Sequence, residues 1–351
     1  MTSSIPVSPA HRPVRPDRKF LLMRQSNRPG ALAEVKADET TSIADEFAMR
    51  RVGDGTWIAS VDASWRTWSG PQGGVVGALC IEAAQGVAPG LAVRVMDLRF
   101  LGQPQLGELR LNTSVFEVGR KSRIVDVTVV QSSRPVASAT VTLGESSQRA
   151  AIRDCLAPAV PSTTALEDSA VFEIPRDLLP FGQHAEIRST GGALPGDEAA
   201  EARMQAWVSI IPSFPLTASS LSIVADTMPP AIFATLTAPI PIATVAMSMH
   251  LTDDSSSSTG SHILVDTWNV SLSGGWAIED SEMRDDTGRL LATSRQSRKV
   301  LRTYDSRETY VHGGRRRRDP KGGGRASAAL ATQSPCAARN RSTRLDRTCP
   351  I

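Results

Sequence analysis

The sequence predicts an α+β fold in which one unit, a long antiparallel meander wrapped around a single apolar helix, occurs twice. Three observations predict it. The order strand, apolar helix, four alternating strands appears on both sides of a stretch, 146–198, that Pro158, Pro161, Pro175, Pro180 and Pro195 punctuate without long periodic runs. Gly119 falls on Gly274, Arg134 on Arg289 and Val136-Ala137-Ser138 on Leu291-Ala292-Thr293, all at an offset of 155 and without gaps. At 40% hydrophobic content, 351 residues can build cores for roughly two ordinary domains.

In the first copy the strand is Thr56-Trp57-Ile58-Ala59-Ser60-Val61, and SGPQGGVVGALCIEAA (69–84) supplies the helix. Period-2 runs follow at 91–100, 108–118, 122–131 and 135–143. In the second copy MQAWVSII (204–211) is the strand and SSLSIVADTMPPAI (219–232) the helix, which Pro229 and Pro230 must kink or end just beyond Asp226. The strands IATVAMSMHL (242–251), HILVDTWNVSL (262–272), WAIEDSEMRD (276–285) and RLLATSRQSRKVL (289–301) complete it. Two such units would pair their sheets as a pseudo-dimer.

The chain's formal charge of +3 divides unevenly. From Arg302 to Ile351 there are twelve Lys or Arg against four Asp or Glu, so residues 1–301 carry a net negative charge. The Arg315–Arg318 run, the Gly322–Gly324 run and the lack of periodicity predict a disordered basic tail, read as a non-specific charged extension in preference to a nucleic-acid binder. No apolar run reaches the ~20 residues of a membrane span, and the proline-rich N-terminus lacks a signal-peptide core. Cys80, Cys155, Cys336 and Cys349 form no CxxC pair, which suits a reducing compartment; a cytoplasmic protein is expected. The five histidines form no HExxH or HxH pair, so neither a metal nor another cofactor is expected. The six tryptophans, at 57, 65, 68, 207, 268 and 276, read as core or as walls of an apolar tunnel.

GPQGG, at the start of the first helix, fits neither GxxxxGK followed by Ser or Thr nor GxGxxG. Its glycines read better as close approach of a helix N-terminus to its surroundings, although exposed N–H groups there can still attract an anion.

The order of elements, with the helix VADTMPPAI, the strand IATVAMSMHL and the terminal strand LLATSRQ, resembles the acyl-CoA thioesterase II family over about residues 40–301. The resemblance implies a double hotdog, two antiparallel sheets each wrapped around a central helix. The chain then divides into an extended leader (1–36), a first hotdog repeat (37–145), a Pro-rich connector (146–180), a second repeat (181–301) and the basic tail (302–351).

The duplication supplies an internal control. Superposed helices put Asp226 on Ala78, and superposed strands put Thr244 on Val93 and Gln296 on Val141. Burying a carboxylate costs several kcal/mol without partners, and an amide or hydroxyl ~1–3 kcal/mol. Three such replacements in one copy point to a shared site. In the thioesterase II family an Asp, a Thr or Ser and a Gln hold the water that attacks the thioester, and Asp226, Thr244 and Gln296 match these one by one. The resemblance therefore implies Asp226 as general base, with Thr244 and Gln296 orienting the water by donating and accepting hydrogen bonds. There is no GxSxG elbow, and no Ser or Cys has an obvious neighbouring His. The expected function is hydrolysis of an acyl-CoA to free acid and CoA; the rival is a non-catalytic hotdog that binds acyl-CoA or acts as a scaffold. The polar insertion Asp253 to Gly260 departs from the family and keeps the rival open. Acyl-CoA is the expected partner, nucleic acid is disfavoured, and a homo-oligomer is left open.

Overall fold

The computed structural model describes residues 40–146, 165–252 and 262–301. The leader at 1–36, the tail at 302–351 and the insertion at 253–260 lie outside the described residues.

The predicted elements form in the predicted order. A short helix α1 (Ile43–Glu46), capped by Ser42, precedes β1 (Arg50–Gly53) and β2 (Thr56–Val61). A 3-10 turn at Ala63–Trp65 and the ribbon β3 (Arg66–Thr67) and β4 (Gly70–Pro71) lead into α2 (Gly73–Val87). The first meander is β5 (Ala92–Phe100), β6 (Gly107–Val118), β7 (Ser122–Gln131) and β8 (Arg134–Gly144). Next come β9 (Ala170–Phe172), a 3-10 turn at Pro180–Gln183, β10 (Ala185–Ser189) and β11 (Arg203–Ile210). Helix α3 (Ala218–Ala225) and a 3-10 turn at Ala231–Thr235 precede the second meander: β12 (Ile242–Leu251), β13 (Ile263–Ser273), β14 (Trp276–Arg284) and β15 (Leu290–Val300).

One expectation is corrected. Among the described residues there is, instead of two sheets, one sheet of 13 strands, in the order β1-β2-β6-β7-β8-β5-β12-β15-β14-β13-β11-β10-β9, with β3–β4 as a separate ribbon. The join is β5 against β12, antiparallel, with Leu98 facing Met247 and Met96 facing Met249, all four buried. Each meander would otherwise end in a row of unpaired N–H and C=O groups, and the two edges satisfy each other. The Pro-rich stretch contributes one short strand. Ala170–Phe172 within it forms β9, pairing Phe172 with Ile187 of β10, and three residues are too few to show a period.

Strand order around the seam is symmetrical, β2-β6-β7-β8-β5 on one side and β11-β13-β14-β15-β12 on the other. The registers agree in detail. Val93 faces Leu143 and Met96 faces Val141 across β5–β8, with a bulge between Val93 and Val95; Thr244 faces Arg298 and Met247 faces Gln296 across β12–β15, with a bulge between Thr244 and Ala246. The sheet thus matches Thr244 to Val93 and Gln296 to Val141. The gapless frame fails at β7 and β14, and at the start of β13, which is set off by a bulge between Asn269 and Ser271 that has no counterpart in β6. The β13–β14 turn is one residue shorter than the β6–β7 turn and the β14–β15 turn one residue longer than the β7–β8 turn, so β14 slips by one against β7 while β15 and the end of β13 keep step.

Helix α2 is buried on almost every side, as a sequence apolar all round requires. It packs against β2, β5, β6, β7 and β8, and also against α3, which in turn touches β11. The α2–α3 approach depends on small residues: a Cβ added at Gly74 would stand 2.2 Å from the Ser222 carbonyl oxygen. The serines of α3 are buried with partners, Ser219 Oγ on Glu82 Oε1 at 2.6 Å and Ser222 Oγ on the Gly74 carbonyl at 2.9 Å. Among the described residues no helix is long and apolar enough to cross a membrane.

Candidate active site

Asp226 is the C-cap of α3, which ends there as the two prolines beyond it demand. Its side chain, 12% exposed, sits against the N-terminus of α2. The Gly74 N–H favours its ionised form, and a Cβ at Gly73 would stand only 2.7 Å from Oδ2. The unsatisfied N–H groups and positive end of the α2 dipole favour a carboxylate at this point. GPQGG is therefore close packing, and the anion it accommodates is a side chain of the same protein. Gln72 fastens the arrangement: its Oε1 accepts from Val75 N at 2.7 Å as the α2 N-cap, and its Nε2 donates to the Ile223 carbonyl at 3.0 Å.

The three predicted site residues come together. Thr244 Oγ1 donates to Gln296 Oε1 at 3.0 Å, and Gln296 Nε2 donates to the Ala225 carbonyl at 3.0 Å, one residue before Asp226. The Gln296 amide also favours the ionised form of Asp226. Gln296 is 1% exposed and lies behind the other two. Counted from the N-caps Gln72 and Thr217, Asp226 corresponds to Ile81 rather than Ala78; both are buried and apolar, so the contrast between halves holds.

Two residues were missed by the sequence reading. Arg298, 6% exposed, donates through Nη1 to Thr244 Oγ1 at 2.8 Å and lies with Nη2 3.7 Å from Asp226 Oδ1. Glu279, 3% exposed, accepts from Arg298 Nε at 3.0 Å and Nη2 at 2.7 Å through Oε1, while its Oε2 accepts from Ala231 N at 2.6 Å. The corresponding residues of the first half are Leu143 and Val125, both fully buried. Burial pushes the Asp226 carboxyl upward, Arg298 pulls it back, Glu279 pushes it up again and the hydrogen bonds lower it; the outcome stays above the ordinary 3.8.

Asp226, Thr244 and Arg298 line a cavity of about 430 Å³ whose walls include Phe100, Phe181, Met228, Phe233, Ile240 and Ile242. Trp68 is also on its wall, whereas Trp65 and Trp207 are core. The remaining three carry surface cations: Arg51 lies 5.8 Å from the Trp57 ring, Arg203 5.9 Å from Trp268 and Lys299 5.6 Å from Trp276.

One Ser–His contact exists that the sequence did not reveal. His184 Nε2 lies 2.7 Å from Ser64 Oγ, but Ser64 Oγ also bonds Asp62, and His184 Nδ1 meets the Ile211 carbonyl at 2.6 Å. Neither Ser64 nor His184 is among the residues lining the cavity, so the contact ties two segments together away from Asp226.

The architecture matches known structures. A conserved hot dog protein of unknown function from Alicyclobacillus acidocaldarius superposes with TM-score 0.67 at 22% identity, covering 76% of this chain and 100% of that one. A thioesterase II candidate from Thermobifida fusca gives 0.65 at 18% identity, covering 75% and 98%. The acyl-CoA thioesterase II TesB2 of Mycobacterium marinum gives 0.54 at 18% identity, covering 75% and 99%. The fold is thus a hot dog fold. Residues 61–144 match the family model described as acyl-CoA thioesterase N-terminal domain, and residues 156–298 the one described as acyl-CoA thioesterase C-terminal domain. The chain belongs to the acyl-CoA thioesterase family. No curated protein sequence matches it.

Proposed function

We propose that this protein hydrolyses an acyl-CoA thioester to free acid and CoA with a water held by Asp226 and Thr244. The observation that carries the reading is the meeting of Asp226, Thr244 and Gln296 beside an apolar cavity of about 430 Å³. Valences assign the parts. Thr244 gives its hydroxyl proton to Gln296 and accepts one from Arg298, so one lone pair of Oγ1 remains. A water that donates one proton to Asp226 and the other to that lone pair turns its own lone pair toward an acyl carbon in the cavity. Asp226 then takes the proton as the carbon is attacked, and no covalent intermediate is required. Gln296 orients both partners from behind and does not touch the water. Two features of the reading extend further: residues 37–145 and 181–301 are two hotdog units around α2 and α3, joined through 146–180, and the apolar walls hold the acyl group.

The test is release of free thiol from a panel of acyl-CoAs by the full chain. Asp226→Asn is expected to lower kcat by roughly 10²–10⁴-fold while leaving acyl-CoA affinity nearly intact, the loss expected for a general base. Undiminished turnover in Asp226→Asn would overturn the assignment of the base. Tight binding with no thiol release by the wild type would leave an acyl-CoA-binding protein.

A further inference from the structure

The pair Arg298–Glu279 is expensive. Two charged groups have been moved into the interior, where the desolvation penalty can exceed the attraction between them, and two apolar residues do the same packing in the first half. Fold alone therefore does not account for the pair, and its position does. Glu279 binds Arg298 through two nitrogens and is itself anchored to Ala231 N, which fixes the guanidinium plane. From that plane Nη1 reaches Thr244 and Nη2 faces Asp226.

We propose that Arg298, clamped by Glu279, is a positioning residue that holds Thr244 Oγ1 in place and supplies the positive charge facing Asp226. This rests on the reading of Asp226 as base. An Arg has no acceptor atom, so Thr244 Oγ1 must accept from it through one lone pair, and the Thr244 proton goes to Gln296 Oε1. The Ala225 carbonyl, which can only accept, locks the Gln296 amide with Nε2 toward itself and Oε1 toward Thr244. With one lone pair of Oγ1 taken by Arg298 and the hydroxyl proton held by Gln296 Oε1, the other lone pair is left for the water.

The charge acts on the same site. The charged side chains acting on Asp226 are Arg298 from β15 and Glu279 from β14, while α2 contributes the Gly74 N–H. Arg298 favours the carboxylate and Glu279 opposes it, Arg298 having the larger effect. Losing both charges should therefore make Asp226 harder to ionise, and losing Glu279 alone should make it easier.

The experiment follows from these opposite signs. Removing Arg298 alone would strand Glu279 and endanger folding, so the variant used is Arg298→Met with Glu279→Gln, which keeps an acceptor for Ala231 N. It is compared with Glu279→Gln and with Arg298→Lys. Two readouts are taken on the full chain: the acid limb of kcat/KM for an acyl-CoA, and the carboxyl ¹³C titration of Asp226, assigned by its loss in Asp226→Asn. In the double variant both midpoints should rise by about one pH unit, and activity should recover as pH is raised. Glu279→Gln should move both downward. Arg298→Lys should keep the midpoint but lower kcat, because an ammonium cannot hold the fork between Glu279 and Thr244. A midpoint unmoved in the double variant, or moved in the same direction in both neutralised variants, overturns the proposal. The ¹³C readout needs no turnover. A shifted midpoint in a protein that releases no thiol would sink the hydrolase reading and leave Arg298 in its role, whereas turnover with an unmoved midpoint does the reverse.

Discussion

Gly74→Ala tests the link between helix packing and chemistry with a single methyl group. The backbone at Gly74 is helical, so alanine brings no conformational strain and gains up to about 1 kcal/mol of helix propensity. Against this stands the contact: the new Cβ would lie 2.2 Å from the Ser222 carbonyl oxygen and 2.8 Å from Ile223 Cα, both backbone atoms that no rotamer change can clear. Ordinary contact requires α2 and α3 to part by roughly 1 Å, and such overpacking costs about 1–3 kcal/mol. For a domain of this size that is a fall of roughly 2–12 °C in Tm, partly offset by the propensity gain. The separation also draws Asp226, the C-cap of α3, away from the Gly74 N–H and from Thr244. A displacement near 1 Å at a reacting group can cost about 10²-fold in rate. Calorimetry and thiol release on one preparation give both numbers. Gly192→Ala is the control, since its Cβ would meet nothing nearer than Gln205 N at 4.0 Å. If Gly74→Ala kept the wild-type Tm and turnover, close approach of the helices would not be what the glycine provides.

Asp226→Asn carries a second expectation, in stability. A carboxyl raised in the folded state imposes no penalty below the unfolded value, and the penalty grows as pH climbs through the folded one. The Asn protein should melt above wild type at neutral pH, with the difference closing near about pH 4; a variant that melts lower at pH 7 would mean that the Arg298 and Gly74 contacts outweigh burial. Cys80 is enclosed in α2, and burial pushes its thiol up to about 12. Peptide mapping after iodoacetamide at pH 8 should find it unmodified in native protein and modified in guanidinium; native labelling would show that α2 opens.

The fold was legible because its signals are periodic and repeated. Long strands such as β6 and β7 bury Leu109, Leu111, Val125, Val127 and Val129 at every second position, and the proline pair after α3 marks its end. What escaped was set by tertiary pairing. Continuity of the sheet depends on two edges, β5 and β12, whose sequences look the same whether they meet each other or stand apart. β9 is held by its neighbour β10 and has no pattern of its own. The contact between Ser64 and His184 joins segments 120 residues apart, and no local spacing announces it.

The site shows how one residue of register can hide a charge. Once Gln296 is placed inside, period 2 puts Arg298 on the same face, with Ala292 and Ser294, and all four are buried. That inference needed no structure, but an inward arginine is acceptable only if its counter-ion is also inward. In a gapless frame Glu279 falls on Ile124, which lies on the partly exposed phase of β7, whereas Val125 beside it is fully buried. The compensating turns, one residue shorter before β14 and one longer after it, move Glu279 onto the Val125 position. There it lines up with Ala277, Ser281 and Met283 and meets Arg298. A turn length is therefore what turns a surface glutamate into the buried anchor of the site. Both turns must change together, since altering one alone would send the inward face of β14 outward and leave Arg298 without its partner.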